Sequence, residues 1–197
     1  MKEDKFAKTV FFIASPFLTL PAILYGIYKK SQFSIYLLVL VFGFLSYLYI
    51  PHVSNDRARY FEMFFEFQRF DFKNFISYLA AHKRPDFILH FLVYSTAKLG
   101  LSLQLLLFCV TSFTVGIFFY LFNKVSENIH LTNNIFFFCF LTVLFSLSLD
   151  HLLSGTRFYF GTALVLLAFY NGLFKKENFS AIILLVLALF THFSTAL

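Results

Sequence analysis

The stretch 101-LSLQLLLFCVTSFTVGIFFYLF-122 decides the class of fold. It contains no Asp, Glu, Lys or Arg from its first residue to its last. A helix needs about 20 predominantly apolar residues to cross the hydrocarbon core of a bilayer. We therefore expect this stretch to form a membrane-spanning helix.

The rest of the chain repeats this pattern. Of the 197 residues, 59% are hydrophobic and 13% are charged, whereas a soluble domain has about 25% charged residues. Charged or polar residues separate the apolar segments, which are 9–28, 33–51, 87–100, 101–122, 135–149, 158–174 and 179–197. The sequence predicts an all-α, polytopic transmembrane helical protein with about six to seven membrane segments. Residues 1–197 are expected to form a single integral membrane domain.

Residues 52–86 form the one long polar stretch. Phenylalanines alternate there with charged residues at roughly helical spacing, as in 61-FEMFFEFQR-69. Such a pattern is typical of an amphipathic helix that lies at the membrane interface. We expect one interfacial helix in this loop and a second short helix over 72–82.

The lysines predict the orientation. Segment 87–100 is short for a span and carries Lys98, which favours a re-entrant or interfacial segment. One face then collects Lys29, Lys30, Lys124, Lys175 and Lys176. That face is cytoplasmic by the positive-inside rule, so loop 52–86, loop 150–157 and His192 become extracytoplasmic. Segment 9–28 is expected to be one helix kinked by Pro16 and Pro21, and Lys2, Lys5 and Lys8 oppose this arrangement.

Several function classes are disfavoured. The net charge of +6 is distributed among membrane segments, so nucleic acid is not an expected partner. Neither Cys109 nor Cys139 has metal-type spacing, and the sequence lacks HExxH, Walker A and GxSxG motifs. We expect no metal site and no cofactor.

Arg157 is the strongest candidate for a functional residue. It opens the apolar run 157-RFYFGTALVLLAFY-170, and charge within a membrane segment commonly marks function. An arginine at a helix N-terminus is suited to a phosphate or diphosphate. Snorkelling of its side chain to the interface explains the position equally well.

His192 lies near the end of 188-ALFTHFSTAL-197. A histidine can accept and donate protons near neutral pH, although a histidine in an apolar run is more often a packed or interfacial residue. Because consecutive helices usually pack together, His192 and Arg157 could meet. Asp150 and His151, just before Arg157, could orient a general base or simply mark a polar membrane boundary.

Two further polar clusters flank apolar segments. In 55-NDRARY-60, Asn55 or Asp56 could be the N-cap of a helix. In 83-KRPDF-87, Pro85 could be the first residue of a helix. Both clusters are also candidates for substrate contacts.

These motifs resemble, in order, the EpsG family of Wzy-type polysaccharide polymerases. That family has an Asp-containing D…Y…F loop, an EP-F entry into a helix followed by LGLS, an R-Q…A helix start, a KK loop and a helix ending in fH-s-al. The positions that match are Asp56, Tyr60, Pro85, Phe87, Arg157, His192 and Ser194. The resemblance covers most of residues 50–197 and is most specific from Gly155 to Leu197.

The sequence departs from the family pattern at two positions. The Glu that precedes the proline is missing, since the order here is Arg84, Pro85, Asp86. The Gln that follows the arginine is replaced by Phe158. These differences affect the assignment of residue roles more than the assignment of the family.

The resemblance implies a multi-pass protein of the bacterial inner membrane. Its substrates would be undecaprenyl-diphosphate-linked oligosaccharides, which it would join into capsular, O-antigen or exopolysaccharide chains. Membrane lipid, a flippase and chain-length regulators would be its partners. Family members continue beyond the fH-s-al end, so we expect this chain to be incomplete at its C-terminus.

The resemblance also implies roles for individual residues. Arg157 would carry the developing diphosphate charge, and His192 or Asp56 would accept the proton of the acceptor hydroxyl. The expected substrate-binding residues are Arg59, Tyr60, Arg84, Asp86 and His151. The alternative functions are a non-enzymatic translocator of lipid-linked glycans and another glycan-modifying membrane enzyme, such as an O-antigen ligase or an acyltransferase.

Overall fold

The computed structural model describes residues 2–53, 55–81 and 87–192, and these residues contain helices and no strand. The helices are α1 (Lys2–Ala14), α2 (Leu20–Tyr28), α3 (Gln32–Leu48), α4 (Asp56–Arg69), α5 (Phe72–Ala81), α6 (Phe87–Lys98), α7 (Leu103–Ile129), α8 (Asn133–Ser146), α9 (Leu149–Ser154), α10 (Thr156–Phe169) and α11 (Asn178–Thr191). A π-helical turn, Tyr170–Phe174, continues α10. The predicted all-α fold is confirmed.

Two of the described helices are long and apolar enough to cross a membrane. They are α7 and the continuous helix Thr156–Phe174, while α3, α8 and α11 are shorter apolar helices. Helix α6 has 12 residues, which gives a length of about 18 Å against a hydrocarbon core of about 30 Å. Its length therefore agrees with a re-entrant or interfacial segment.

The first apolar segment differs from its prediction. We expected one kinked helix over 9–28, but α1 ends at Ala14 and α2 begins at Leu20, with a turn between them. Pro16 lies in that turn, where its missing N–H breaks no helical hydrogen bond. Pro21 lies in the first turn of α2, where a proline is tolerated. The two prolines separate two helices and do not bend one.

The two helices predicted in the polar loop are present as α4 and α5. Helix α4 buries Tyr60, Met63, Phe64 and Phe67 and exposes Phe65, as expected of an amphipathic helix. It packs mainly against α6. An aromatic cluster joins α4, α5 and α6, and within it the rings of Phe75 and Tyr94 stack with centroids 4.4 Å apart.

The long helices fix which chain segments share an end of the bundle. The Ser46 hydroxyl donates to the Leu107 carbonyl at 3.1 Å, so the end of α3 lies beside the start of α7. Phe113 and Phe160 pack with centroids 5.9 Å apart, so α10 also begins near the start of α7. Helix α11 then packs along α10 and returns to this end.

The opposite end of the bundle collects lysines, and we name it the lysine end. It is defined by Lys5, Lys8, Lys29, Lys30, Lys124 and Lys175. Lys5 Nζ lies 5.9 Å from the centroid of the Phe33 ring at the start of α3, and Lys30 Nζ donates to the Leu131 carbonyl at the start of α8. Lys175 Nζ lies 5.7 Å from the Tyr170 ring.

The N-terminal lysines therefore do not oppose the other lysines, contrary to expectation. Because a turn separates α1 from α2, the start of α1 lies at the same end as the end of α2. Helix α1 runs along α3 in the same direction, because Lys5 lies over Phe33 and Phe12 packs against Phe44 further along both helices, with centroids 6.0 Å apart. The conflict in the topological prediction came from treating 9–28 as one helix.

Candidate functional site

An ion pair between distant parts of the chain forms the centre of the candidate site. Asp56 is the first residue of α4, and Arg157 is the second residue of α10. Arg157 Nη2 donates to Asp56 Oδ2 at 2.7 Å. The structure therefore brings together two of the residues predicted to be catalytic, and Arg157 lies at a helix start as expected.

Arg59 extends this pair to a cluster of three charges. Its Nη1 lies 3.4 Å from Asp56 Oδ1, so each carboxylate oxygen faces a different guanidinium. The side chain of Arg157 is 17% exposed and that of Arg59 is 60% exposed. The exposed pair of Arg59 with Asp56 is worth about 0–1 kcal/mol. Two guanidinium groups around one carboxylate leave a net positive charge that attracts an anion.

Arg57 belongs to the predicted cluster 55-NDRARY-60, but the sequence analysis gave it no role of its own. Its side chain is fully buried. It donates to the Leu153 carbonyl at 3.1 Å, to the Ser46 carbonyl and to the Ser46 hydroxyl at 2.9 Å. The guanidinium carbon also lies 5.2 Å from the centroid of the Tyr49 ring.

Burial lowers the pKa of Arg57 to about 10, because desolvation disfavours its charged form. The group stays protonated at physiological pH, since that pKa lies well above 7. Its carbonyl and hydroxyl acceptors replace part of the lost hydration. A charged side chain thus holds the inner face of α4 in the bundle.

These hydrogen bonds explain how Asp56 reaches Arg157. Arg57 ties the start of α4 to the end of α3 and to α9, and α9 passes directly through Gly155 into α10. A Cβ at Gly155 would lie 3.0 Å from the His151 carbonyl oxygen, so the joint is tight. We name Arg57, with its acceptors on Ser46 and Leu153, the arginine clamp.

We name the end of the bundle that contains Arg57, Arg59 and Arg157 the arginine end. His192 lies there, directly after α11, and its backbone N–H donates to the Ala188 carbonyl at 2.9 Å. Its ring packs edge-on against Phe158, with centroids 6.0 Å apart. Phe158 follows Arg157, so His192 and Arg157 lie at the same end, as expected.

The remaining predicted site residues have different surroundings. Tyr60 is 3% exposed, and its ring packs against His90 with centroids 6.4 Å apart. Its position is one of core packing, and a direct contact with substrate stays a prediction. His151 is exposed in α9. Arg84 and Asp86 lie outside the described residues.

The caps of the polar loop were predicted in part. Of the two N-cap candidates, Asn55 and Asp56, the structure has Asn55 at the N-cap of α4. Its side chain makes no capping hydrogen bond and donates instead to the Tyr49 hydroxyl at 3.0 Å. The Tyr49 hydroxyl also lies 3.5 Å from Asp150 Oδ1. These contacts connect α3, α4 and α9 around the arginine clamp.

The groups at this site have the chemistry that suits an anion. Guanidinium groups bind phosphate oxygens in a fixed fork, and the N-terminus of α10 adds positive potential beside Arg157. Among the described residues, no group of three His, Cys, Asp or Glu side chains is placed to hold a metal ion.

The comparisons with known proteins agree with these motifs. The model of the EpsG family matches residues 51–197. This range contains every residue of the ion-pair cluster. No curated protein and no solved structure matches the chain at a significant level.

Proposed function

Because the chain belongs to the EpsG family, whose general role is like that of a polysaccharide polymerase, we propose that it joins undecaprenyl-diphosphate-linked oligosaccharides into longer chains. The ion pair between Arg157 and Asp56 is the observation that carries this proposal. It places a partly buried guanidinium beside a carboxylate at one end of the bundle. Capsular, O-antigen and exopolysaccharide chains are the candidate products.

The proposed reaction moves one glycan onto another. The acceptor hydroxyl oxygen forms a bond to the anomeric carbon of the donor, and the bond from that carbon to the diphosphate oxygen breaks. Undecaprenyl diphosphate leaves with the bonding electrons. Arg157 and Arg59 stabilise its negative charge, and stabilisation of developing charge commonly contributes more to catalysis than any other single effect.

The acceptor proton passes to a base, for which Asp56 and His192 are the candidates. In the proposed cycle, the diphosphate takes over the guanidinium of Arg157 and so releases the Asp56 carboxylate from its 2.7 Å ion pair. The carboxylate is then free to accept the proton. The same ion pair therefore accounts for both the anion site and the base.

We also propose a multi-pass arrangement in the bacterial inner membrane, with about six to seven membrane segments in a single domain. The lysine end faces the cytoplasm by the positive-inside rule. The arginine end then faces the extracytoplasmic side. The placement of Lys5 at the lysine end supports this orientation.

The test is polymer synthesis by the full-length protein in cells that depend on it. Arg157→Ala is expected to abolish long polymer, at least 100-fold by the usual effect of losing one charge-stabilising group, while single repeat units are still made. Lys175→Ala is the matched control, because it removes one cation from the opposite end. Long polymer from Arg157→Ala would refute the catalytic assignment.

Product analysis separates the alternative functions. If the protein were a translocator, its inactive variant would leave lipid-linked repeat units on the cytoplasmic side. Loss of a ligase would leave long polymer that is not transferred to its acceptor, and loss of an acyltransferase would leave polymer without acyl groups. The polymerase proposal requires single repeat units on the extracytoplasmic side.

A further inference from the structure

A cavity of about 400 Å³ lies at the lysine end, between α1, α2 and the start of α3. We name it the lysine cavity. It is lined by Lys5, Lys8, Tyr25, Gly26, Lys29, Ser31, Gln32 and Phe33. It lies at the opposite end of the bundle from the ion pair of Asp56 and Arg157.

The described charged residues that line the lysine cavity are lysines. Three of its lining residues are lysines, and none of the described residues that line it is acidic. The ammonium groups of Lys5 and Lys29 are exposed there, and positive charge attracts an anion. A negatively charged ligand is therefore the complement of the lysine cavity.

Helix α2 packs closely against α3 at Gly26, one of the residues that line the cavity. A Cβ at Gly26 would lie 1.9 Å from the Ser34 hydroxyl oxygen and 3.3 Å from Lys8 Nζ. Ser34 is fully buried, and its hydroxyl makes no hydrogen bond to any part of the chain that the structure describes. The absence of a side chain at Gly26 thus allows the Ser34 hydroxyl and the Lys8 ammonium group to lie close to the backbone of α2.

The start of α3 adds to the positive potential. Ser31 is the N-cap of this 17-residue helix, and its side chain makes no capping hydrogen bond. The positive end of the helix dipole therefore faces the cavity without a capping oxygen from Ser31.

The cavity walls also suit the headgroup level of a bilayer. Lys29 Nζ lies 5.7 Å from the Tyr25 ring centroid, and Lys5 Nζ lies 5.9 Å from that of Phe33. Tyrosine is enriched at membrane interfaces, where an apolar body and a polar group are both needed. A ligand with a charged head and an apolar body fits this mixture better than a small free ion.

We propose that the lysine cavity binds the phosphate group of an anionic phospholipid from the leaflet at the lysine end. Basic pockets between membrane helices are a known means of binding such headgroups. This inference stands apart from the proposed polymerase activity, since it uses no residue of the ion-pair cluster. Inorganic phosphate shares the binding chemistry, and the experiment separates the two sources.

The experiment measures lipid binding to the purified full-length protein. The protein is delipidated in neutral detergent and titrated with phosphatidylglycerol, phosphatidylcholine or inorganic phosphate, and adducts are counted by native mass spectrometry. Phosphatidylglycerol is expected to bind, and phosphatidylcholine and inorganic phosphate are expected to bind at least tenfold more weakly.

Two double variants test the site. Lys5→Gln with Lys29→Gln should weaken phosphatidylglycerol binding about 10- to 30-fold. Lys175→Gln with Lys176→Gln is the matched control, because it removes the same charge from the same end outside the cavity. Its binding should change less than threefold.

Three outcomes would overturn the proposal. They are equal losses in both double variants, inorganic phosphate binding as tightly as the lipid, and no preference for phosphatidylglycerol over phosphatidylcholine. Polymer synthesis is measured separately, so failure of the lipid site leaves the proposed function standing.

Discussion

The two ends of the bundle carry positive charge in different ways. At the arginine end, guanidinium groups donate to carbonyls, a hydroxyl and a carboxylate, and Arg57 is fully buried. At the lysine end, the ammonium groups of Lys29 and Lys175 are exposed and lie over tyrosine rings. Arg57 and Arg157 are thus held in fixed geometry, whereas Lys29 and Lys175 lie close to solvent.

This difference follows from the chemistry of the two side chains. A guanidinium has five donors in a rigid plane and is weakly hydrated, so it can be buried among several acceptors. An ammonium is strongly hydrated and lies on a flexible stem, so it suits the headgroup region. The comparison suggests that the arginine end positions groups for chemistry and that the lysine end sets orientation and contacts lipid.

Removal of the arginine clamp should have the largest effect on stability. Arg57→Ala leaves two backbone carbonyls and the Ser46 hydroxyl without their donor and should cost about 3 kcal/mol. The measurement is denaturant or thermal unfolding of the purified protein in detergent. Arg69→Ala, at the exposed end of the same helix, is the control and should cost about 0.5 kcal/mol or less. Equal costs would show that Arg57 is not a clamp.

Exchange of the cation type tests the comparison directly. Arg157→Lys keeps the charge and loses the planar fork that faces Asp56. We expect polymer synthesis to fall about 10- to 100-fold, equivalent to about 1.4–2.7 kcal/mol of transition-state stabilisation. The readout is polymer length and yield at matched protein levels. Full activity would mean that charge alone is sufficient at the arginine end.

Ser46 links the clamp to α7 and should have a smaller effect. Its hydroxyl accepts from Arg57 at 2.9 Å and from Thr111 at 2.8 Å, and it donates to the Leu107 carbonyl. Ser46→Ala removes this junction and should cost about 1–2 kcal/mol in unfolding free energy. Thr142→Ala is a suitable control, because the exposed Thr142 hydroxyl bonds only within its own helix among the described contacts. A cost no larger than that of Thr142→Ala would argue against the junction.

The reverse exchange at the lysine end should have the smallest effect. Lys175→Arg keeps the charge at an exposed position over the Tyr170 ring. Unfolding free energy should change by about 0.5 kcal/mol or less, and polymer synthesis should stay within twofold. A large loss would mean that the lysine end also depends on fixed geometry.

Local patterns in the sequence predicted most of the helices. The apolar run at 101–122 became part of α7, and the alternation in 61–69 became the amphipathic helix α4. The break between α1 and α2 was missed, since proline spacing does not distinguish a kink from a turn. That distinction depends on what each side of the break can pack against, which local pattern does not reveal.

The sequence predicted several residues of the candidate site, but it did not predict which of them contact one another. Arg157, Asp56 and Arg59 were candidates, but the pairing of Asp56 with Arg157 depends on how α4 and α10 pack. A signal for Arg57 was present, because Arg57, Tyr60 and Phe64 follow the spacing i, i+3, i+7 of one helix face. An arginine on the apolar face of an amphipathic helix indicates a buried hydrogen-bonding role.

The arginine clamp has a consequence for the time course of synthesis. Arg57 bonds a carbonyl 96 residues further along the chain, and Asp56 pairs with a residue 101 positions away. At the usual rate of translation, about 5–20 s pass between synthesis of the loop and synthesis of its partners. Helix α6, against which α4 mainly packs, is synthesised within that interval, whereas Leu153 and Arg157 follow only at its end. The apolar face of α4 can therefore pack against α6 before Arg57 and Asp56 reach their partners, and the arginine end is assembled among the last parts of the described fold.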